Sequence, residues 1–447
     1  MLHFFPQFSC GNSSVVERLL AKEKVAGSIP VFRSTNTLNP RWVFLFDLIY
    51  LDISLTLVKK NDIILTSMKI VHLGTFVKQP QGFKAFVPAH FPPKERFLFE
   101  PLTEQLHAKA ALSIGKLDGI TQLLPDLDFF IFMYVRKEAA LSSEIEGTRA
   151  TMSDSIRAEI EMTKDIPEDV DRILHYISAM NYGLNRLQTL PLSLRLIREV
   201  HKLLLEGTGD APGKTPGDFR ISQNWIGGAT PATARFVPPP VKEMNHALND
   251  LEKFMHDSIE LSPLIKTALL HAQFETIHPF LDGNGRAGRL LTTFYLCQQG
   301  ILERPTLYLS EYFKRHRDLY FDLLEGYHNR GEVEPWVNFF LEGIIDVAVK
   351  ATETAKNINQ LREVDTEKIQ ILGGRRTKNG MNVLRKLFEL PIVNVKKVEE
   401  WTGLSRQSAN ILVSKFVELG ILEQRDRNTT YGRDFEYKNY LKLFTKE

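Results

Sequence analysis

The sequence predicts a mainly α-helical protein: a helical bundle interrupted by one β-hairpin and followed by a small C-terminal helix-turn-helix module with a β-ribbon. Three observations carry this. Apolar residues recur at helical spacing over most of the chain after Leu127. Glycines and prolines crowd the stretch from Thr208 to Pro240 and break that rhythm. After Gly373 the elements shorten and end in an alternating stretch from Ile421 to Tyr437.

The chain has 447 residues, a length that predicts about three domains. Its 43% apolar and 25% charged residues are those of a globular protein, and a net charge of +2 gives no overall bias toward nucleic acid or membrane. Cys10 and Cys297 are too few for a disulfide framework, so a reducing, cytoplasmic compartment is expected. Val43 to Val58 is too short to span a bilayer and carries Asp47 and Asp52, so no membrane partner is expected. Residues 1–67 lack sustained periodicity. Their run GNSSVVERLLAKEKVAGSIPVFRS resembles the translation of a transfer-RNA gene. They are expected to be a non-native or disordered extension, with the protein beginning near Met68.

From Met68 the elements follow in order. Phe86-Val87-Pro88 and Phe91-Pro92-Pro93 mark an extended lead-in, because proline disfavours helix at itself and at its predecessor. A helix is predicted from about Leu127 to Glu146, closed by Gly147. Others are predicted at about Val170 to Leu187, Ser193 to Leu205 and Val241 to His256. Asn224-Trp225-Ile226 and Arg235-Phe236-Val237 read as the arms of the hairpin. Ser262-Pro263 places an N-cap before a proline at the first helical position and opens a helix to about Thr276. Its apolar face is Ile265, Ala268, Leu269 and Ala272. Further helices are predicted from the glycine segment to before Gly300, from Tyr312 to Leu324, and from Pro335 past Val349 toward Gln370. In the tail, helices are expected near Met381 to Leu390, Lys396 to Trp401 and Arg406 to Leu419.

Chemistry concentrates in HPFLDGNGRAGR, His278 to Arg289. Gly283-Asn284-Gly285 can turn several N–H groups toward one point, and the following helix adds the positive end of its dipole. Beyond this anion cradle, Arg286 and Arg289 share a helical face and can fork onto successive phosphates. Asp282 offers a hard oxygen ligand to one Mg²⁺. His278 can take a proton from an attacking hydroxyl. Phe280 anchors the loop in the core. A lone GNG beside an arginine is ordinarily a turn and a helix start; here a base, a carboxylate, a glycine nest and two arginines fall within twelve residues.

At these residues the sequence resembles the Fic family, whose motif HxFx[DE]GNGRxxR is filled at every fixed position. The resemblance covers about Phe86 to Gln360. It implies a Fic-type helical bundle with a β-hairpin flap, divided as an N-terminal segment (68–168) and a catalytic domain with its following helices (169–372). The implied reaction moves AMP from Mg-ATP, the co-substrate, to a Ser, Thr or Tyr hydroxyl of a target protein or of the chain itself. His278 would be the base and Asp282 the Mg²⁺ ligand. Gly283, Asn284 and Gly285 would hold the α-phosphate, and Arg286 and Arg289, flanking Ala287 and Gly288 in the same ATP-binding run, would hold the others. Ser142 to Gly147 matches the family's inhibitory pattern [ST]xxxE[GN], in which Glu146 would pair with Arg289 and block the γ-phosphate. Trp225, Ile226, Gly227, Phe236 and Val237 resemble the flap that docks a target segment by strand addition. Tyr320, Phe321 and Asn329 fall where family members line the adenine pocket, though core packing explains the aromatics equally well.

The tail from Gly373 to Glu447 has the order of a winged helix-turn-helix. From Arg375 it carries 15 Lys/Arg against 9 Asp/Glu, with Ser405-Arg406-Gln407-Ser408 opening its third helix and Arg425, Arg427 and Arg433 on the wing. DNA contact and protein docking, including a homodimer, both remain open. So does a second function class, a DNA-binding regulator whose Fic domain only senses nucleotide. Within the enzyme class, the site would equally serve AMP removal or transfer of another nucleotide. The filled His278 position favours the enzyme.

Overall fold

The computed structural model describes residues 71–447, apart from short interruptions at 94–96, 123, 125–126, 162–165, 210–212, 258–260, 427–428, 430–431 and 446–447, together with three strands nearer the N-terminus. The chain divides into two compact units, Met1–Met68 and Lys69–Glu447. In the first, strands β1 (Trp42–Leu45), β2 (Thr56–Lys59) and β3 (Asp62–Leu65) form an antiparallel meander in that order. The sequence reading placed no strand there. The run resembling a transfer-RNA gene lies outside the described residues.

The second unit opens with an antiparallel hairpin, β4 (Gly74–Lys78) and β5 (Lys84–Pro88). Helices then dominate: α1 (Pro101–Thr121), α2 (Leu127–Ile145), α3 (Met152–Glu161), α4 (Glu168–Arg186), α5 (Leu194–Leu205), α6 (Val241–His256), α7 (Pro263–Ile277), α8 (Asn284–Gln298), α9 (Ser310–Arg315), α10 (Arg317–Arg330) and α11 (Val333–Gln370). Caps account for several boundaries. Ser193 Oγ accepts the Leu196 N–H to open α5, and Ser262 Oγ accepts the Leu264 N–H ahead of Pro263 to open α7. Gly147, at φ +100°, follows the end of α2 as anticipated. The expected helix from Tyr312 is two helices, broken at His316 (φ −113°, ψ 39°). From Val333, 38 residues run as one helix, about 57 Å at 1.5 Å per residue.

Helix α7 is buried almost all round, which is why its apolar stripe is broad. Helices α8, α11, α6 and α10 pack on it, and its C-terminus delivers the motif loop to the centre of the bundle. Trp336 Nε1 donates to the Ala268 carbonyl and ties α11 to α7 in the core. The tail forms α12 (Gly374–Glu389), β6 (Ile392–Asn394), α13 (Val395–Thr402), α14 (Arg406–Glu418), β7 (Glu423–Gln424), β8 (Asp434–Glu436) and α15 (Lys438–Thr445), with sheet order β6-β8-β7. It belongs to the same compact unit as the bundle. Tyr437 Oη on its sheet donates to the buried Asp365 of α11 at 2.6 Å. Among the described residues, no helix is long and apolar enough to cross a membrane.

Candidate active site

The loop between α7 and α8 is fixed from all sides. His278 ends α7 in the left-handed region (φ 49°, ψ 61°), and Gly283 opens α8 at φ 73°. Asn284 closes the loop on itself: its Oδ1 accepts the Phe280 N–H and its Nδ2 donates to the Phe280 carbonyl, both at 2.9 Å. Its side chain is thus a brace, while its backbone starts the helix. Phe280 is fully buried and stacks on His201 with ring centres 3.6 Å apart. The His201 Nδ1 accepts from the Gly217 N–H, so the proton sits on Nε2, which donates to the Asp282 carbonyl at 2.9 Å. Burial, above all, pushes the His201 pKa down to about 4 and keeps that tautomer neutral.

Arg220 is the second anchor. It is 1% exposed and donates to the carbonyls of His278 (2.9 Å), Ser222 (3.1 Å) and Pro239 (2.6 Å). Its own N–H donates to the Pro279 carbonyl. Asn224 Nδ2 adds a bond to the Phe280 carbonyl. These contacts hold the histidine backbone in a conformation a non-glycine residue does not adopt freely.

The His278 ring has a pKa pushed down to about 4, chiefly by burial and next by the Arg220 charge. It is therefore neutral at pH 7 and open to a proton. Its Nδ1 is buried without a hydrogen-bond partner. Burial alone would raise the Asp282 pKa, but the Gly283 N–H, Lys214 and Arg286 outweigh it and hold the carboxyl below its ordinary range. Lys214 Nζ lies 3.2 Å from Asp282 Oδ2, and Arg286 Nη2 lies 3.9 Å from Oδ1. Among the described residues, no three His, Cys, Asp or Glu side chains converge as a metal cage. One ionised carboxylate beside a phosphate cradle fits a divalent cation held largely by substrate oxygens and water.

Arg289 is sealed inside. Its Nε donates to Ser142 Oγ at 2.7 Å, and its Nη2 donates to the Ser142 carbonyl at 2.9 Å and to Glu146 Oε1 at 2.8 Å. The pair expected to meet, Glu146 and Arg289, is brought together, and Ser142 joins them. Close packing explains the glycines here. A Cβ at Gly285 would collide with the Glu146 carboxylate, and one at Gly288 with the Glu275 carboxylate. Burial raises the Glu275 pKa to about 8 against the opposing pull of Arg289, and its Oε1 has no hydrogen-bond partner.

A cavity of about 350 Å³ opens beside His278, Gly285 and Arg289. One wall is the expected flap: Trp225, Ile226, Gly227, Arg235 and Phe236. The flap is paired at a single bridge, Ile226 to Phe236, and not as a full hairpin. Pro238, Pro239 and Pro240 have no N–H to continue a ladder, and Gly227 and Gly228 both adopt positive φ. The Phe86 N–H donates to the Val237 carbonyl, so β5 occupies that edge of the flap. Arg235 clasps α10 through Asp322 and Glu325. The opposite wall is Tyr320, Phe321, Leu324, Glu325 and His328. Tyr320 lies there as expected, its hydroxyl 2.9 Å from His271 Nε2. Asn329 does not: it is exposed, and its amide donates to Glu325 Oε1. Sequence reasoning missed Arg220, His201 and Lys214, whose partners are remote in the chain, and also Glu275 and His328.

Fold and site together define a helical protein with a braced glycine loop at a helix N-terminus and a neutral, half-buried histidine beside it. Residues 104–185 match the Fic/DOC family N-terminal region, and residues 191–296 match the Fic/DOC family itself. The two matches adjoin and together span 104–296, the part of the chain that carries the bundle and the motif loop. It is 30% identical over 175 residues to the protein adenylyltransferase Fic of Aedes aegypti, covering 39% of this chain and 31% of that one. With the protein of the same name from Drosophila grimshawi it shares 28% over 232 residues, 50% of this chain and 45% of that one. The chain thus spans about a third to under half the length of these relatives. A crystal structure of a Fic family protein from Desulfovibrio desulfuricans G20 shares the fold, at 19% identity and a TM-score of 0.50, over 77% of this chain and 98% of that one.

Proposed function

We propose that this protein transfers AMP from ATP to a Ser, Thr or Tyr hydroxyl of a target protein or of itself, and that Glu146 restrains it. One observation carries the reading: a neutral, half-buried imidazole, His278, stands beside the glycine cradle in a loop locked by Arg220, Asn284 and His201. A nucleotide sensor needs the cradle and has no use for the base. The names of the Aedes and Drosophila relatives support the same chemistry.

In this reading the α-phosphate rests on the free N–H groups of the first turn of α8. The target hydroxyl oxygen attacks the α-phosphorus, its proton passes to the His278 ring, and the bond to the bridging oxygen breaks to release diphosphate. Asp282 would hold Mg²⁺, which supplies charge neutralisation to the phosphates. Arg286 and Arg289 would bind the outer phosphates once Glu146 yields. The flap edge at Trp225 and Gly227 would dock the target segment, since β5 occupies the edge at Val237. The C-terminal module is read as a winged helix serving macromolecular docking. Arg433 donates to Asn410 and Arg425 lies 3.6 Å from Glu436, so these wing arginines are engaged within the module; Arg427 lies outside the described residues. A cytoplasmic setting fits the sparse cysteines.

The test uses the Glu146→Gly protein with ATP labelled at the α- or the γ-phosphate. Label should pass to protein from the α position only, and His278→Ala should abolish it. Transfer from the γ position, or none from either, would reject AMP transfer.

A further inference from the structure

We propose that Lys214 is a tethered stand-in for the divalent cation: it neutralises Asp282 while the site is metal-free, so that a triphosphate can settle beside that carboxylate, and it yields the carboxylate oxygen when the cation arrives. The inference rests on the AMP-transfer reading and adds to it a positioning residue from outside the motif loop. It starts from the two oxygens of Asp282, which meet different groups. Oδ1 accepts the Gly283 N–H at 2.6 Å, and Arg286 Nη2 lies 3.9 Å from it. These contacts fix the carboxyl and leave Oδ2 as the oxygen offered to an incoming ion. Lys214 Nζ stands on Oδ2, at 3.2 Å. A magnesium ion binds a carboxylate oxygen at about 2.0–2.1 Å, and an ammonium at hydrogen-bond distance blocks that approach. The two cations are alternatives.

Lys214 comes from a loop that is held in place to present it. Gly213 (φ 76°) and Thr215 (φ 44°) flank it in the left-handed region. Among the described residues, Thr215 and His278 are the only non-glycine residues at positive φ, and a β-branched side chain is strained there. The strain persists because the loop is pinned just beyond. The Asp218 N–H donates to the Thr215 carbonyl at 3.0 Å, the Gly217 N–H to His201 Nδ1 at 2.9 Å, and Arg198 Nε to the Gly217 carbonyl at 2.8 Å. His201 holds the Asp282 carbonyl with its other ring nitrogen, at 2.9 Å. One side chain of α5 thus sets both partners, the loop that carries the ammonium and the residue that carries the carboxylate.

Exposure decides which role the pair can play. The Lys214 side chain is 41% exposed and that of Asp282 34%. A pair in contact with water is weak, so it lends Asp282 a counter-charge without locking it. Without the ammonium, the bare carboxylate would repel phosphates arriving at the neighbouring glycine loop. When Oδ2 passes to a divalent ion, that ion takes over the neutralisation and Lys214 is released.

The experiment measures ATP binding by equilibrium dialysis, once with excess EDTA and once with saturating Mg²⁺. The parent is the Glu146→Gly protein, compared with the same protein carrying Lys214→Met, Lys214→Arg, or Lys214→Met together with Asp282→Asn. Methionine keeps most of the side chain without its charge; arginine keeps the charge. Circular dichroism establishes that each folds. Expected in Lys214→Met is a loss of about fivefold in affinity with EDTA and of less than about twofold with Mg²⁺. Lys214→Arg should keep the metal-free affinity of the parent, and adding Asp282→Asn to Lys214→Met should restore it. Equal losses in EDTA and Mg²⁺ would overturn the proposal, since a merely structural or phosphate-binding lysine matters in both. So would no loss in EDTA, as large a loss in Lys214→Arg, a loss that Asp282→Asn does not relieve, or a parent that binds ATP only with Mg²⁺. In each of these cases label transfer by the parent would leave AMP transfer standing. A parent that binds no ATP in either condition would overturn both.

Discussion

Replacing Glu146 by glycine isolates one contact. At an effective dielectric of about 20, unit charges separated by the 2.8 Å Arg289–Glu146 distance attract by roughly 6 kcal/mol before solvation is counted. Two features reduce what is felt. The Glu146 side chain is 43% exposed, so water already screens the pair. An arriving phosphate also offers Arg289 an anion in exchange, so only the difference between the two partners restrains the site. We expect a net restraint of about 1–3 kcal/mol, and Glu146→Gly should therefore raise the rate of AMP transfer roughly 5- to 150-fold. The assay is the initial rate of label transfer from α-labelled ATP, at ATP well below saturation. Both Arg289 bonds to Ser142 survive the change, so the melting temperature should move by only a few degrees. A rate change below twofold, in a protein whose transfer still requires His278, would refute the argument that Glu146 is the restraint.

Arg220→Met keeps chain length and removes the donors that hold the His278, Ser222 and Pro239 carbonyls; it should cost about 3–5 kcal/mol, read by denaturant unfolding, and transfer should fall with it. Wild-type stability would show that the loop is held without this arginine. Acid should weaken the fold earlier than its carboxylates alone require. Burial pushes His201 and His278 down to about 4 and His271 and His328 down to about 3. The unfolded chain takes up protons on these rings below about pH 6.5 while the folded one refuses them. Their stabilisation is thus complete above that pH and is lost as pH falls toward 4, by about 1.4 kcal/mol per pH unit for each ring. A denaturation midpoint that stays flat from pH 6.5 to 4.5 would contradict this.

What was legible in the sequence was local chemistry. Ser193, Ser262 and Gly147 mark helix ends through contacts within four residues, and the motif loop declares its cradle because glycine, arginine and carboxylate have few other reasons to crowd together. The illegible part is long-range. Arg220 meets His278 across 58 residues and His201 meets Asp282 across 81, with no periodic signal to pair them. The placing of Asn329 on the cavity wall, where the structure has His328, is a related failure. Periodicity finds a helix, but neighbouring elements set its rotation about its axis, and one residue is about 100° of turn. Helix α1 has no side-chain cap at Glu100, and its one local start signal, Pro101 at the first helical position, was not read.

The geometry around Arg289 also explains why a restraint can coexist with a rigid site. Helix α2 supplies both Ser142 and Glu146, four residues apart, and the two contacts differ in kind. Ser142 is fully buried, and Glu138 one turn earlier is locked to Tyr176 and to Ser310. Glu146 follows the last residue of the helix, half in water, with Gly147 at positive φ behind it. Helix ends open more readily than helix interiors. Displacing only the residues after Ile145 would therefore withdraw the Glu146 carboxylate while Ser142, still inside the helix, continues to aim the guanidinium. On the reading that Glu146 restrains transfer, activation needs no dissociation of α2. A disulfide or cross-link holding α2 to α4 should leave activation by an added target intact, whereas a requirement for α2 to leave would make the cross-linked protein inert.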